Sequence, residues 1–347
     1  MRPAIHPEDS PRTALLTIAI PTYNRAGYLT RLLAALRREL AGREARVNLV
    51  IADNASTDGT AAIIAEFAAS WPRVRVVRQA TNLGMDGNFH ACAEAVDSDF
   101  FWIMGDDDLP VPGAIAALIQ LLDRERPDLV LVGSRWLRDI DTVANEAMTS
   151  PLRYRRLSRD AFGRRMHVWA TYLTGMIVRR TVFLEDGDAI CRLAGTHLIQ
   201  LSWVMERLRE GELFINVETV CVLATSGNTG GYSVVTVFGD HFPRIVRDNL
   251  SRDPGQRRLA RQMVLRTILD FLPGLLWGLR TARLGDFQPE NVAQALEPQL
   301  GDHPLTTLIL LPISRLPRPA AWLMMKTASV LARLVAFGDH LRRSSVS

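Results

Sequence analysis

Residues 100–108 read FFWIMGDDD: an apolar run, one glycine and then Asp106, Asp107 and Asp108. A short apolar run that ends in turn residues is the signature of a buried strand. Adjacent carboxylates at the end of such a strand repel one another and lose hydration, so they call for positive charge beside them. A divalent cation held by oxygen ligands, Mg2+ or Mn2+, meets that need and typically joins protein carboxylates to substrate phosphates. The competing reading is a solvated turn, with aspartate capping a proline-containing helix start.

Working outward, the pattern repeats. Residues 15–20 (LLTIAI, closed by Pro21), 47–52 (VNLVIA), 74–77 and 129–132 also read as strands. Between them, residues 28–40 put Leu29, Leu32, Leu33, Leu36 and Leu40 on one helical face, and 60–69, 89–95 and 114–122 read as further helices. This alternation predicts an α/β fold, a mostly parallel sheet covered by helices on both faces. Ligands bind such sheets where the strand C-termini open. The clusters PTYNR, DNASTDGT and GDDD all fall at those ends. Asp53 and Asn54 are therefore binding candidates, since a carboxylate there can accept from a ribose or a base edge. Asp58 and Thr60 read as cap residues and Gly59 as a turn residue. The stretch NLGMDGN (residues 82–88) reads as a glycine-rich loop.

The chain has 347 residues, with 41 basic and 37 acidic side chains and a formal net charge of +4. Lys326 is the only lysine, a matter of composition. The charge lacks the concentrated basic stripe of a nucleic-acid binder. No GxxxxGK or GxGxxG occurs, which disfavours P-loop and dinucleotide enzymes. Cys92, Cys191 and Cys221 lie far apart, without a CxxC pair, and fit a reducing compartment. The first residues carry acids and prolines where a signal peptide needs an apolar run, and no stretch of about 18 apolar residues follows. A cytoplasmic protein is expected.

Four motifs, TIAIPTYNRAGYL, VIADNASTDGT, NLGMDGN and FFWIMGDDDLPVPGAI, resemble in order and spacing the nucleotide-sugar-binding half of family 2 glycosyltransferases, which share the GT-A fold. The likeness covers residues 15–132. More loosely, YLTGMIVRR and GTHLIQLSW resemble the acceptor half of bacterial O-antigen sugar transferases of the abequosyltransferase kind. The resemblance implies that Pro21, Thr22 and Tyr23, with Asp53, line a nucleoside pocket. Asn82 and Gly84 would border the donor, and Asp106 to Asp108 would bind metal and ribose. Many relatives have Asp-x-Asp-Asp, whereas Gly105 stands here at the first position of that frame. An extended segment would put Asp106 and Asp108 on one side and Asp107 on the other. Relatives also carry a Glu-Asp pair opening a late helix. Here that helix is read at 198–209, starting Gly195-Thr196-His197, and His197 could serve as base because an imidazole ordinarily titrates near neutrality. Its rival is Asp186, in Glu185-Asp186; a structural histidine is the third reading.

The implied organisation is a tail at residues 1–14, a nucleotide-sugar-binding half at 15–135, an acceptor half at 136–239 and a helical extension at 240–347. Residues 138–165 read as a loop, 171–179 as a strand, 197–208 as a helix and 213–223 as one or two terminal strands. From residue 240 onward there are 15 basic and 9 acidic residues, a charge of +6, which leaves −2 for the rest. Residues 320–337 carry Lys326, Ser329 and Arg333 as one polar stripe on an apolar helix. That suits either contact with anionic lipid at the inner membrane or packing on the catalytic domain. The expected function is a metal-dependent inverting glycosyltransferase, taking a nucleoside-diphosphate sugar and a glycan or lipid-linked glycan acceptor. The alternatives are a nucleotidyltransferase on a related scaffold and a non-catalytic sugar-nucleotide-binding or membrane scaffold protein.

Overall fold

The computed structural model describes residues 14–140, 143, 146–180, 191–226, 231–281, 287 and 290–344. Its first part alternates as the apolar periodicity requires: β1 (Leu16–Thr22), α1 (Ala26–Leu40), β2 (Val47–Asp53), α2 (Thr60–Ser70), β3 (Val74–Arg78), α3 (Gly84–Glu94) and β4 (Phe100–Ile103). After the two-residue β5 (Leu109–Pro110) come α4 (Ala114–Glu125), β6 (Leu129–Leu137), β7 (Tyr154–Leu157), α5 (Arg159–Met166), β8 (Met176–Arg179), α6 (Leu201–Glu210) and β9 (Phe214–Thr225).

One sheet contains all these strands, in the order β3-β2-β1-β4-β8-β6-β9-β5, with β7 on β9. β1 to β4 are parallel neighbours, but β8 runs antiparallel between β4 and β6, so the sheet is mixed beyond β4. Pro21 lies inside β1 rather than closing it. Ala19 O accepts from Met104 N at 2.9 Å, and Pro21 faces that same edge two residues further on, past the end of β4, where no ladder partner is lost. β9 is a single strand that bends past β6, with register shifts around Gly133. A Cβ on Gly133 would collide with the Thr219 backbone, so only glycine allows this close approach.

Several expectations shift for local reasons. α3 begins at Gly84, so DGN opens a helix and is not a loop. Residues 171–175 are tight helical turns rather than strand, because Thr174 is held at both ends: its O accepts from Trp102 Nε1 (2.8 Å) and its Oγ1 from Gly105 N (2.9 Å). The segment 138–165 contains β7 and most of α5. α6 starts at Leu201, four residues after His197, whose φ of +60° keeps it outside a helix.

The two faces of the sheet bury separate cores. Ile18, Ile20, Phe100 and Trp102 pack with α1, α2 and α4, whereas Ala19, Phe101 and Ile103 point to α3, α5 and α6, the period-two alternation of strands. The second core continues into the C-terminal helices α7 (Phe242–Asn249), α8 (Pro254–Arg266), α9 (Leu272–Arg280), α10 (Val292–Leu300) and α11 (Arg318–Ser344).

Candidate active site

The strand ends and the C-terminal helices enclose a cavity of about 920 Å3. Its floor is the acidic turn. Asp108 N donates to Gly105 O (3.2 Å), so residues 105–108 form a closed turn and the expected alternation of side chains does not occur. All three carboxylates are buried and all three line the cavity. Asp106 Oδ2 accepts from Thr22 Oγ1 (2.8 Å), and Arg25 Nη1 reaches Asp106 Oδ1 (3.3 Å) and Asp107 Oδ2 (2.9 Å). Asp108 turns the other way, accepting from Tyr172 Oη (2.9 Å) and Thr225 N (3.0 Å).

Burial pushes the Asp106 carboxyl up to about 6, with Arg25 pulling against it. Burial and the neighbouring Asp107 push Asp108 up to about 7. Arg25 thus pairs with Asp106 and Asp107, while Asp108 is held by neutral donors, so three acidic side chains share one buried turn. Among the described residues no three His, Cys, Asp or Glu side chains converge as a preformed cation cage. A narrower cradle is present above Gly105. A Cβ placed there would lie 3.0 Å from Asp107 Oδ1 and 3.3 Å from Asp108 Oδ2, so glycine leaves a space that two carboxylate oxygens border. Two carboxylates suffice for a hard divalent cation that shares its other positions with phosphate oxygens and water. The residues fit such an ion.

The loops beside the turn are tied to one another. Asn54 Nδ2 donates to Asn82 Oδ1 (2.8 Å) and Gly84 O (3.0 Å), while its Oδ1 accepts from Leu83 N (2.8 Å). Asp58 Oδ1 accepts from Thr60 N (2.9 Å) and its Oδ2 from Ala26 N (3.2 Å), so one carboxylate caps α2 and α1 together. Pro21, Thr22, Tyr23, Asn54, Asn82, Gly84, Asp106, Asp107, Asp108 and His197 all line the cavity. Asp53 is the exception. It is fully buried, its Oδ1 accepts from Ser56 N (3.0 Å), and it is not part of the lining. Asp186 lies outside the described residues.

His197 stacks on Tyr232, ring centroids 5.0 Å apart, and its backbone N donates to Asp86 Oδ2 (3.0 Å). Sequence reading did not assign Arg25, Asp86, Tyr172, Thr174 or Thr225, nor the lining residues Trp136, Trp169 and Asp270. Arg25, in the PTYNR cluster, Asp86, in NLGMDGN, and Tyr172 and Thr174, in YLTGMIVRR, lie inside motifs that the sequence marks, without a role for each residue.

Residues 17–186 match the family model described as Glycosyl transferase family 2. This segment is a family 2 glycosyl transferase domain. Abequosyltransferase RfbV of Salmonella typhimurium is 34% identical over 142 residues, 37% of this chain and 42% of the relative. An uncharacterized protein of Mycobacterium tuberculosis, Rv1520, is 32% identical over 152 residues, 42% of each chain. The chain thus spans less than half the length of these curated relatives. Among solved structures, S. aureus TarS 1–349 in complex with UDP superposes with a TM-score of 0.61 at 16% identity, over 92% of this chain and 91% of that one. The mannosyltransferase PcManGT of Pyrobaculum calidifontis, in complex with GDP-Man and Mn2+, gives 0.52 at 17% identity, over 96% and 90%. These likenesses are of fold, and the fold is GT-A, with a helical C-terminal region.

Proposed function

We propose that this chain is an inverting, metal-dependent glycosyltransferase that moves a sugar from a nucleoside-diphosphate donor to a hydroxyl of a glycan or lipid-linked glycan. The observation that carries this reading is the acidic turn, three buried carboxylates lining a cavity of about 920 Å3, two of them paired with Arg25. Bound nucleotide in TarS, and GDP-Man with Mn2+ in PcManGT, support the same class of donor and cofactor.

Asp107 and Asp108 would hold the cation, which supplies positive charge to the departing diphosphate. Tyr172 and the Thr225 amide orient Asp108, and Arg25 and Thr22 orient Asp106, which keeps acceptor capacity for a donor hydroxyl. Inversion needs one displacement. The bond from the anomeric carbon to the diphosphate oxygen breaks as the acceptor oxygen attacks from the opposite side, and the acceptor proton passes to a base. His197 would take that proton. In support, it lines the cavity in a left-handed backbone conformation fixed by Asp86.

Incubation with a panel of nucleotide sugars, Mn2+ and glycan acceptors should release nucleoside diphosphate. Asp107→Ala and Asp108→Ala should each lower turnover by at least about a hundredfold. His197→Ala should lower kcat by a similar factor; near-full activity would remove His197 as base and leave Asp186 to be tested. Absence of release with every donor and acceptor would overturn the enzyme reading.

The outer helix α11 supports peripheral contact with anionic lipid at the inner membrane. Ala321, Ala328 and Ala332 are buried against the molecule, while Trp322, Leu323, Val330 and Leu334 are exposed beside Lys326 and Arg333. No described helix is long and apolar enough to cross a membrane. Sedimentation with vesicles containing anionic lipid should be lost in Leu323→Glu; no sedimentation of the wild-type chain would reject this contact.

A further inference from the structure

A second cavity, about 640 Å3, shares a wall with the first: Trp136, Trp169 and Tyr172 line both. Trp136 is the penultimate residue of β6 and Trp169 lies in the helical turn after α5, so the two elements bring their indoles together at 6.1 Å between centroids. Trp136 also packs on Tyr172 at 4.6 Å. Elsewhere in the sheet core tryptophan is buried, as Trp102 and Trp203 are, but these two remain 45% and 40% exposed. A lone exposed aromatic is ordinary; two in contact, at the junction of two cavities, form an apolar patch that a ligand would cover.

The chemistry of the patch narrows the ligand. An indole offers a flat apolar face with an electron-rich surface, and a pyranose ring offers a matching face of C–H groups. The rim of the second cavity is polar, with Asn216 and Arg165 facing it, whereas Ser134 Oγ already donates to Val132 O at 3.3 Å and Arg155 is paired with Glu218 at 2.6 Å. The wall also ends at the chemistry. The tyrosine against which Trp136 packs donates its hydroxyl to Asp108 Oδ2 at 2.9 Å. A ring stacked on the indoles therefore lies beside the side chain that holds Asp108.

We infer that the Trp136–Trp169 wall is the acceptor subsite, holding one pyranose ring of the acceptor glycan against its indoles. This rests on the glycosyltransferase reading for the word acceptor, but the binding event stands alone and is tested alone. Wild-type protein is titrated with the methyl glycosides of glucose, galactose, mannose and rhamnose and followed by saturation-transfer NMR. The same titrations use Trp136→Ala, Trp169→Ala and Trp136→Phe, with thermal melting as the control for folding. At least one glycoside should receive saturation at its ring C–H protons. Its affinity should fall about tenfold in each folded alanine variant and be largely restored in Trp136→Phe. Equal signals in wild type and both alanine variants would overturn the inference, as would silence from every glycoside. UDP and GDP binding to the wild-type chain is measured in parallel. Glycoside binding without nucleotide binding counts against the transferase reading alone, and the converse counts against the subsite alone.

Discussion

Gly105 is where a single residue most sharply limits the site. Its backbone is not in the left-handed region, so an alanine is conformationally allowed there. What forbids a side chain is the company. A Cβ would lie 3.0 Å from Asp107 Oδ1, 3.3 Å from Asp108 Oδ2 and 3.5 Å from Thr174 Oγ1, tighter than such contacts normally run. This accounts for glycine at the position where an Asp-x-Asp-Asp frame would put its first acid, since aspartate would fill the same space with a fourth carboxyl oxygen pair. Gly105→Ala should therefore separate activity from stability. Losing glycine's freedom in the unfolded chain stabilises by about 0.4–1 kcal/mol, roughly offsetting the crowding. Turnover should fall by at least about tenfold as the two carboxylates are pushed apart. Nucleoside diphosphate release and a thermal melt measure the two effects; unaltered turnover would mean that the cradle is not used.

At the scale of elements, α3, which starts five residues before the helix read at 89–95, organises the site. Gly84, Asp86, Gly87 and Asn88 have turn-forming propensities, and nothing local marks them as helical. α3 forms there because its polar residues find partners far along the chain. Asn88 Nδ2 donates to Ala52 O (3.0 Å), and Asp86 accepts from His197 N (3.0 Å) and Ile199 N (3.4 Å), more than a hundred residues away. Strands and helices carrying a one-sided apolar pattern, such as β1, α1, β2 and β4, were legible because their pattern is local. The Arg25–Asp106, Tyr172–Asp108 and Asp86–His197 pairings were not, since each joins residues that only the folded sheet brings together. The C-terminal helices show a local signal that was visible but unread. Wider, π-type turns at Val237–His241, Thr267–Phe271 and Thr306–Leu310 are each followed at the same spacing by a proline, Pro243, Pro273 and Pro312. Proline removes one helical hydrogen bond and crowds the preceding turn, which widens to relieve it. Two of these turns bring Phe238, Asp270 and Phe271 to the cavity. Asp86→Ala tests the role of α3. Two backbone N–H groups lose their acceptor, so stability should drop by about 1–3 kcal/mol, and kcat should fall as the His197 segment loosens. Asp86→Asn keeps one acceptor oxygen and turns an amide NH2 toward the other backbone donor, so it should recover only part of each; a melt and kcat unchanged in Asp86→Ala would show that the segment is held by other contacts.

For the molecule as a whole, the question is how the C-terminal helices are joined to the sheet. They share one core with it, from Ala19 and Phe101 through Phe162 and Met263 to Leu310 and Ala332. His167 sits at this joint, buried, after α5 and against the turn that links α8 to α9. Its Nδ1 has no hydrogen-bond partner among the described residues, and its Nε2 is 3.9 Å from Asp270 Oδ2, an oxygen already paired with Arg266 at 2.8 Å. Burial pushes the imidazole down to about 3, and the positive charges of Arg266 and Arg165 push in the same direction. The folded protein therefore refuses a proton that the unfolded chain accepts below about pH 6.5. Stability from this group is complete above that value and is lost as pH falls toward 3, by roughly 2–3 kcal/mol at pH 4.5. Asp106 and Asp108, with raised folded values, work in the opposite direction over part of the same window. The histidine must therefore be read as a difference. Urea unfolding at pH 7 and pH 4.5 is compared between wild type and His167→Asn, since asparagine cannot titrate, and any cost of its backbone conformation here is the same at both pH values and cancels in the difference. The variant should lose roughly 2–3 kcal/mol less than wild type on acidification. Equal losses would mean that acid opens the molecule elsewhere, and that the joint between sheet and helices is not its acid-sensitive point.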